Sequence, residues 1–170
     1  MDTFFQITEY ISEHTGLRPW ALSVFLVVLV AVLLDFLQRQ LIKRITVIVR
    51  NSSNLWDDAL LDAIPRPLSL VIWIVGITMA AQLVPATVEG QILHDDVVVT
   101  IRQVGVLGAL TWFIVNFVLN LEDSIIATAK AQGRKVDQTT VKALGRVVRI
   151  TVIVTSVLVG LDTLGFNVAG

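Results

Sequence analysis

The sequence predicts an all-α fold: a polytopic membrane helical bundle of four transmembrane helices, with an interfacial or cytoplasmic helical connection between the first two. Three observations carry this expectation. Of 170 residues, 55% are hydrophobic and only 16% charged, and the mean hydropathy of +0.78 exceeds what a water-soluble globule carries. The charges avoid four long stretches, as they must where burying one in hydrocarbon costs several kcal/mol. Between those stretches, apolar residues recur at helical spacing.

Residues 1–18 precede the first span. They carry Asp2, Glu9 and Glu13 against Arg18 alone, the reverse of a basic signal-peptide start, so the first apolar segment is expected to stay in the mature chain. That segment holds 16 uncharged residues, Pro19 to Leu34. Asp35 and Arg39 follow it in the favourable acid-before-base order on a helix, and an ion pair at the interface is expected.

The connection 38–66 reads as helical. Leu41, Ile42, Ile45, Ile48 and Val49 share one face and Lys43, Arg44 and Arg50 the other, which suits a helix lying on an anionic leaflet or a continuation of the first span. Asn54 is placed to cap a short helix that Pro65 ends, and Pro67 suits the first turn of the second span. That span has 22 uncharged residues, Pro67 to Val88, with Gly76 and Ala80 marking a close-packing face.

The third span, Gln103 to Leu121, has 19. Gly105, Gly108 and Ala109 permit close helix approach, and Asn116 and Asn120 are expected to make interhelical hydrogen bonds. Ile125 to Ala131 extends this helix, Gly133 is placed to end it, and Asp137 to cap the next. In the fourth span only 12 uncharged residues, Ile150 to Leu161, separate Arg149 from Asp162. Arg146 and Arg149 at its start have side chains long enough to reach headgroups, and Ser156 and Gly160 have small-xxx-small spacing. The chain thus divides into residues 1–18, residues 19–121 with three spans and the connection, and residues 122–170 with the hairpin tip and the fourth span.

Positive charge sets the orientation. The first connection holds Arg39, Lys43, Arg44, Arg50 and Arg66, and the third holds Lys130, Arg134, Lys135, Lys142, Arg146 and Arg149, leaving only Arg18 and Arg102 on the other side. Both connections are therefore expected in the cytoplasm and both ends outside. A net charge of -1 gives no basic excess for nucleic acid. The absence of cysteine excludes disulfides and thiolate chemistry. Neither a phosphate loop nor a nucleophile elbow is present, no cofactor is implied, and the chain is not expected to be an enzyme. His94-Asp95-Asp96 is a poor metal cluster, because adjacent residues do not converge on one ion, and His14 is isolated.

The run Arg134-Lys135-Val136-Asp137-Gln138-Thr139-Thr140-Val141, then Arg146, Arg149 and the apolar stretch to Leu164-Gly165-Phe166-Asn167-Val168-Ala169-Gly170, resembles the last helical hairpin before the pore of the small-conductance mechanosensitive channel (MscS) family. Two further spans upstream make the chain similar to that family's five-helix, YnaI-like branch. The detailed resemblance covers residues 130 to 170.

This resemblance implies a homo-heptameric channel of the bacterial inner membrane that opens under bilayer tension and releases ions and small osmolytes on hypoosmotic shock. Both ends would then be periplasmic, Val168-Ala169-Gly170 would open the pore helix, and this chain would be the tension-sensing part, with the pore helix and cytoplasmic domain beyond it. By the same resemblance Asp137 would couple the hairpin tip to the cytoplasmic domain. Arg134, Lys135, Arg146 and Arg149 are placed to grip anionic lipid headgroups, although positive-inside topology alone puts basic residues there. The alternative function is a small four-span accessory or assembly protein, or a proton-coupled carrier using Asp35.

Overall fold

A computed structural model describes residues 18–49, 55–85, 95–133 and 137–166. The described residues form five helices and no strand: α1 (Pro19–Val49), α2 (Leu55–Ala63), α3 (Pro65–Gln82), α4 (Asp95–Ala131) and α5 (Gln138–Thr163). Three of these are long and apolar enough to cross a membrane, over Pro19–Thr46, Asp96–Ala131 and Gln138–Thr163. The protein is a membrane-embedded helical bundle.

The three helices long and apolar enough to span differ from the four expected segments. The shortest uncharged stretch, Ile150 to Leu161, belongs to a 26-residue helix that at 1.5 Å per residue is about 39 Å long. Arg149 and Arg146 lie inside it rather than at its start. The expected second span begins earlier, at Pro65, and ends at Gln82 after 18 residues, about 27 Å. Its first turn contains Arg66 and two prolines, and it is not among the helices that meet both length and apolarity. Pro65, which ends α2, also occupies the first position of α3, where a missing N–H costs nothing.

The helices stand in a row. α1 packs on α3, α3 on α4 and α4 on α5, while α2 lies along α4 as well, and among the described residues α1 approaches neither α4 nor α5. The core of this row is made of small side chains: Ala31, Ala59, Ala63, Ala80, Ala109 and Ala129 are buried, joined by Val98 and Ile126. Among the described residues no large side chain is fully buried. In hydrocarbon a leucine gains nothing by leaving lipid for protein, so helices associate through backbone approach at small residues instead.

The glycines separate into those that do this and those that do not. A Cβ on Gly76 would lie 2.7 Å from the Ala31 Cβ across the α1–α3 contact, and one on Gly105 would lie 2.9 Å from Ile74 Cδ1 across α3–α4. A Cβ on Gly160 would meet Leu107 Cδ2 at an ordinary 3.8 Å. Gly108, expected on a packing face, is exposed with open space around it. Its neighbour Ala109 takes the buried position instead, because one residue is a 100° turn of the helix.

The hairpin between α4 and α5 closes as a pair of caps. Gly133 has φ +66°, a left-handed conformation that ends a helix at little cost only for glycine. Asp137 accepts a hydrogen bond from the Thr139 N–H at 3.0 Å and another from Thr140 Oγ1 at 2.6 Å. Arg134 and Lys135 lie outside the described residues, as do residues 1–17, Asn54, expected as an N-cap, and His94.

Candidate functional site

The polar side chains that the row of helices buries gather in two clusters. The first ties α1 to α3. Asp35, 9% exposed, pairs with Arg39 at 2.8 Å one turn on. Its other carboxylate oxygen accepts from Ser69 Oγ of α3 at 2.5 Å and from Gln38 Nε2 at 3.1 Å. Arg39 also reaches Ser69 Oγ at 3.2 Å while its side chain remains 59% exposed. Helical periodicity explains why these residues meet: Ala31, Asp35 and Gln38 fall on the one buried stripe of a helix whose other faces lie open. Gln38 Oε1 is buried with no hydrogen-bond partner among the described residues.

The second cluster ties α4 to α5. Glu122, 7% exposed, pairs with Arg149, whose side chain is only 18% exposed. Arg149, expected among the residues gripping lipid headgroups, thus directs its guanidinium to a carboxylate inside the hairpin. Arg146, one turn earlier, is exposed. Gly145 makes the pair possible: it is buried against Glu122, and a Cβ there would come within 2.9 Å of Glu122 Cγ and closer still to the carboxylate. Sequence reading passed over Glu122 and Gly145. The available signal was an acid at the end of an apolar run facing a glycine and an arginine at i, i+4 on the returning helix.

Higher in the same hairpin Thr111 Oγ1 and Ser156 Oγ share a hydrogen bond of 2.7 Å. Thr111 Oγ1 also lies 2.8 Å from the Leu107 carbonyl, the i−4 back-bonding position common for threonine within a helix. Asn116 and Asn120, expected to link helices, make no hydrogen bond among the described residues, and Thr111–Ser156 takes that part. At the opposite end of α3, Arg102 reaches Gln82 Oε1 at 3.4 Å.

Outside the spans, Asp137 has its carboxyl held below its ordinary value of 3.8, first by the Thr140 hydroxyl and then by the Thr139 N–H. Among the described residues no three His, Asp or Glu side chains converge as a metal site. The α1–α3 interface leaves an apolar groove of about 360 Å³ lined by Val30, Ala31, Leu34, Val71, Val75 and Met79 among others. Its lining offers acyl chains contact and offers a polar substrate nothing. Compared with known proteins, the chain matches no family model, no curated protein and no solved structure.

Proposed function

We propose that this chain is the tension-sensing transmembrane part of a mechanosensitive ion channel of the bacterial inner membrane. The observation that carries the reading is the α4–α5 hairpin. Its long helices are joined by the Gly133 and Asp137 caps inside the run that resembles the MscS family, and α5 turns Leu144, Val147, Ile150, Val154 and Val157 outward at 45% exposure or more. A helix that touches lipid along most of its length changes its lipid contacts when it tilts. Lateral tension then favours whichever state has the larger in-plane area, and acts only through that difference.

The row architecture supports the same reading, since helices packed side by side move relative to one another without opening a large core. In this reading α3, with the residues that follow Gln82, crosses the membrane as a fourth span, both ends lie in the periplasm and the basic connections in the cytoplasm. Copies of the chain assemble as a ring, a heptamer by family resemblance, and the pathway carries ions and small osmolytes. Asp137 at the hairpin tip faces the cytoplasm and couples tilt to gating. A proton-coupled carrier using Asp35 is disfavoured, because Arg39 and Ser69 already occupy its carboxylate oxygens.

The test is patch recording under controlled suction from bacterial membranes in which the native gene encoding this chain is expressed in a host stripped of its own tension-gated channels. A stretch-activated conductance, with survival of osmotic downshock, is the expected result. Stretch-insensitive membranes with good expression overturn the proposal. Unchanged gating tension in Asp137→Asn removes the coupling role alone.

A further inference from the structure

Two helices at one level of the molecule carry opposite charge along their sequences. α2 has three acids, Asp57, Asp58 and Asp62, and no basic residue. The first half of α5 has Lys142, Arg146 and Arg149, and the helix has no acid before Asp162. Arg149 is taken by Glu122. Asp62, Lys142 and Arg146 are exposed and have no ion-pair partner among the described residues.

Both helices lie against α4 but on different sides of it. Ala109 lines one groove with Ile64, Pro67 and Leu68 of the α2–α3 junction, whereas Glu122 pairs with Arg149 of α5. Thirteen residues of helix set those two positions about 140° apart. Within one copy α2 and α5 make no contact among the described residues. They nevertheless share a level: Glu122 pairs with Arg149, and α2 runs along α4 from the groove that Ile64 and Phe113 both line.

Each helix also mixes apolar surface with its charge. Leu144 and Val147 stand 67% and 61% exposed on either side of Arg146, and Leu60 of α2 is 39% exposed near Asp62. A run of acids with no cation is repelled by an anionic leaflet, so lipid alone leaves the α2 face unmatched. A second copy matches it.

We infer that the acidic outer face of α2 in one copy docks against the basic, apolar first half of α5 in the next. The two surfaces are different, so the contact is head-to-tail, and its repetition closes a ring when the rotation between copies permits. This rests on the reading of the chain as a subunit of a homo-oligomer and names the surfaces that join it.

Residues 1–170 contain no cysteine, so none of them competes in the test, and any cysteine elsewhere in the native protein is first replaced by serine. Asp62→Cys, Arg146→Cys and the double variant are oxidised in native membranes and run on non-reducing gels. Because α2 and α5 do not approach within one copy, a disulfide in the double variant forms between copies. The expected result is a ladder of multimers in the double variant and none in either single one. Charge reversal supplies a second reading: Asp62→Lys should lower the multimer fraction, and adding Arg146→Asp should restore it.

A double variant without a ladder, while the native mass in nanodiscs is still multimeric, overturns this interface and leaves self-assembly standing. A monomeric mass removes both. Cross-linking of Arg146→Cys alone as strong as in the double variant overturns the head-to-tail contact in favour of a symmetric one. Assembly that depends on anionic lipid but not on Asp62 assigns the basic face to headgroups and overturns the inference too.

Discussion

Replacing Gly145 with alanine should destabilise the α4–α5 hairpin, against the intrinsic preference of a helix for alanine. In an open helix the change is worth about 1 kcal/mol in favour of the variant. Here the new methyl would come within 2.9 Å of Glu122 Cγ and closer to its carboxylate, so Glu122 has to leave its place. Overpacking of this kind costs about 1–3 kcal/mol. Its displacement also strands Arg149, whose side chain is only 18% exposed. Removing one partner of a buried pair costs about 3–5 kcal/mol, the upper end being reached when the survivor cannot solvate itself. An arginine near the membrane surface recovers most of this by turning to headgroups, leaving about 1 kcal/mol.

The balance is a net loss of roughly 2 kcal/mol for Gly145→Ala, which for a chain of this size lowers the melting temperature by roughly 4–8 °C. Thermal unfolding in nanodiscs followed by circular dichroism measures it. A double variant that also carries Glu122→Ala should recover stability relative to Glu122→Ala alone, because the clash is gone and only the helix preference remains. If Gly145→Ala is neutral or stabilising by itself, the reasoning that Gly145 exists to admit Glu122 is refuted.

Three further outcomes follow from the geometry. In the first cluster Arg39→Ala should lower the melting temperature more than Asp35→Asn, since the former strands a carboxylate that is 9% exposed and the latter leaves an arginine that is 59% exposed and solvates itself; the opposite order sinks the argument. Gly76→Ala should destabilise by about 1–3 kcal/mol through its 2.7 Å approach to Ala31, whereas Gly108→Ala, facing open space, should be neutral or stabilising by up to about 1 kcal/mol. Equal effects at the two glycines in nanodisc unfolding would contradict the packing described here. At the hairpin tip, the folded carboxyl of Asp137 lies below its unfolded value. Its contribution to the cap is therefore complete above that unfolded value and is lost as pH falls through the folded one. Amide exchange at Thr139 should accelerate at the acid end in the native chain but not in Asp137→Asn, and identical profiles would remove the cap from the account.

Long-range charge pairing is where sequence reading was weakest. Asp35 and Arg39 are one turn apart, so their pairing follows from helix geometry alone, and the same holds for Asp137 and the first N–H groups of its helix. Arg149 and Glu122 are 27 residues apart, and nothing local says that they meet. Positive-inside logic placed Arg149 at the headgroups because it counts charges without knowing which helix faces which. The same limit applies to Gly108, which looked like Gly105 in composition and differs only in the direction it points. The second apolar stretch shows the converse: 22 uncharged residues became a described helix of only 18, because absence of charge marks where hydrocarbon is tolerated and not where a helix stops.

The amino-acid sequence by itself determined that this chain is helical and membrane-embedded and where two of its breaks fall, because each of these depends on residues within a turn or on the count of charges. The tertiary structure alone decided the order of the row, the burial of Glu122 beneath Gly145, the choice of Ala109 over Gly108, and the packing of α2 and α5 on different sides of α4. Those are properties of how helices rotate against each other, and in a membrane that rotation is set by the fit of small side chains between neighbours rather than by which residues avoid water.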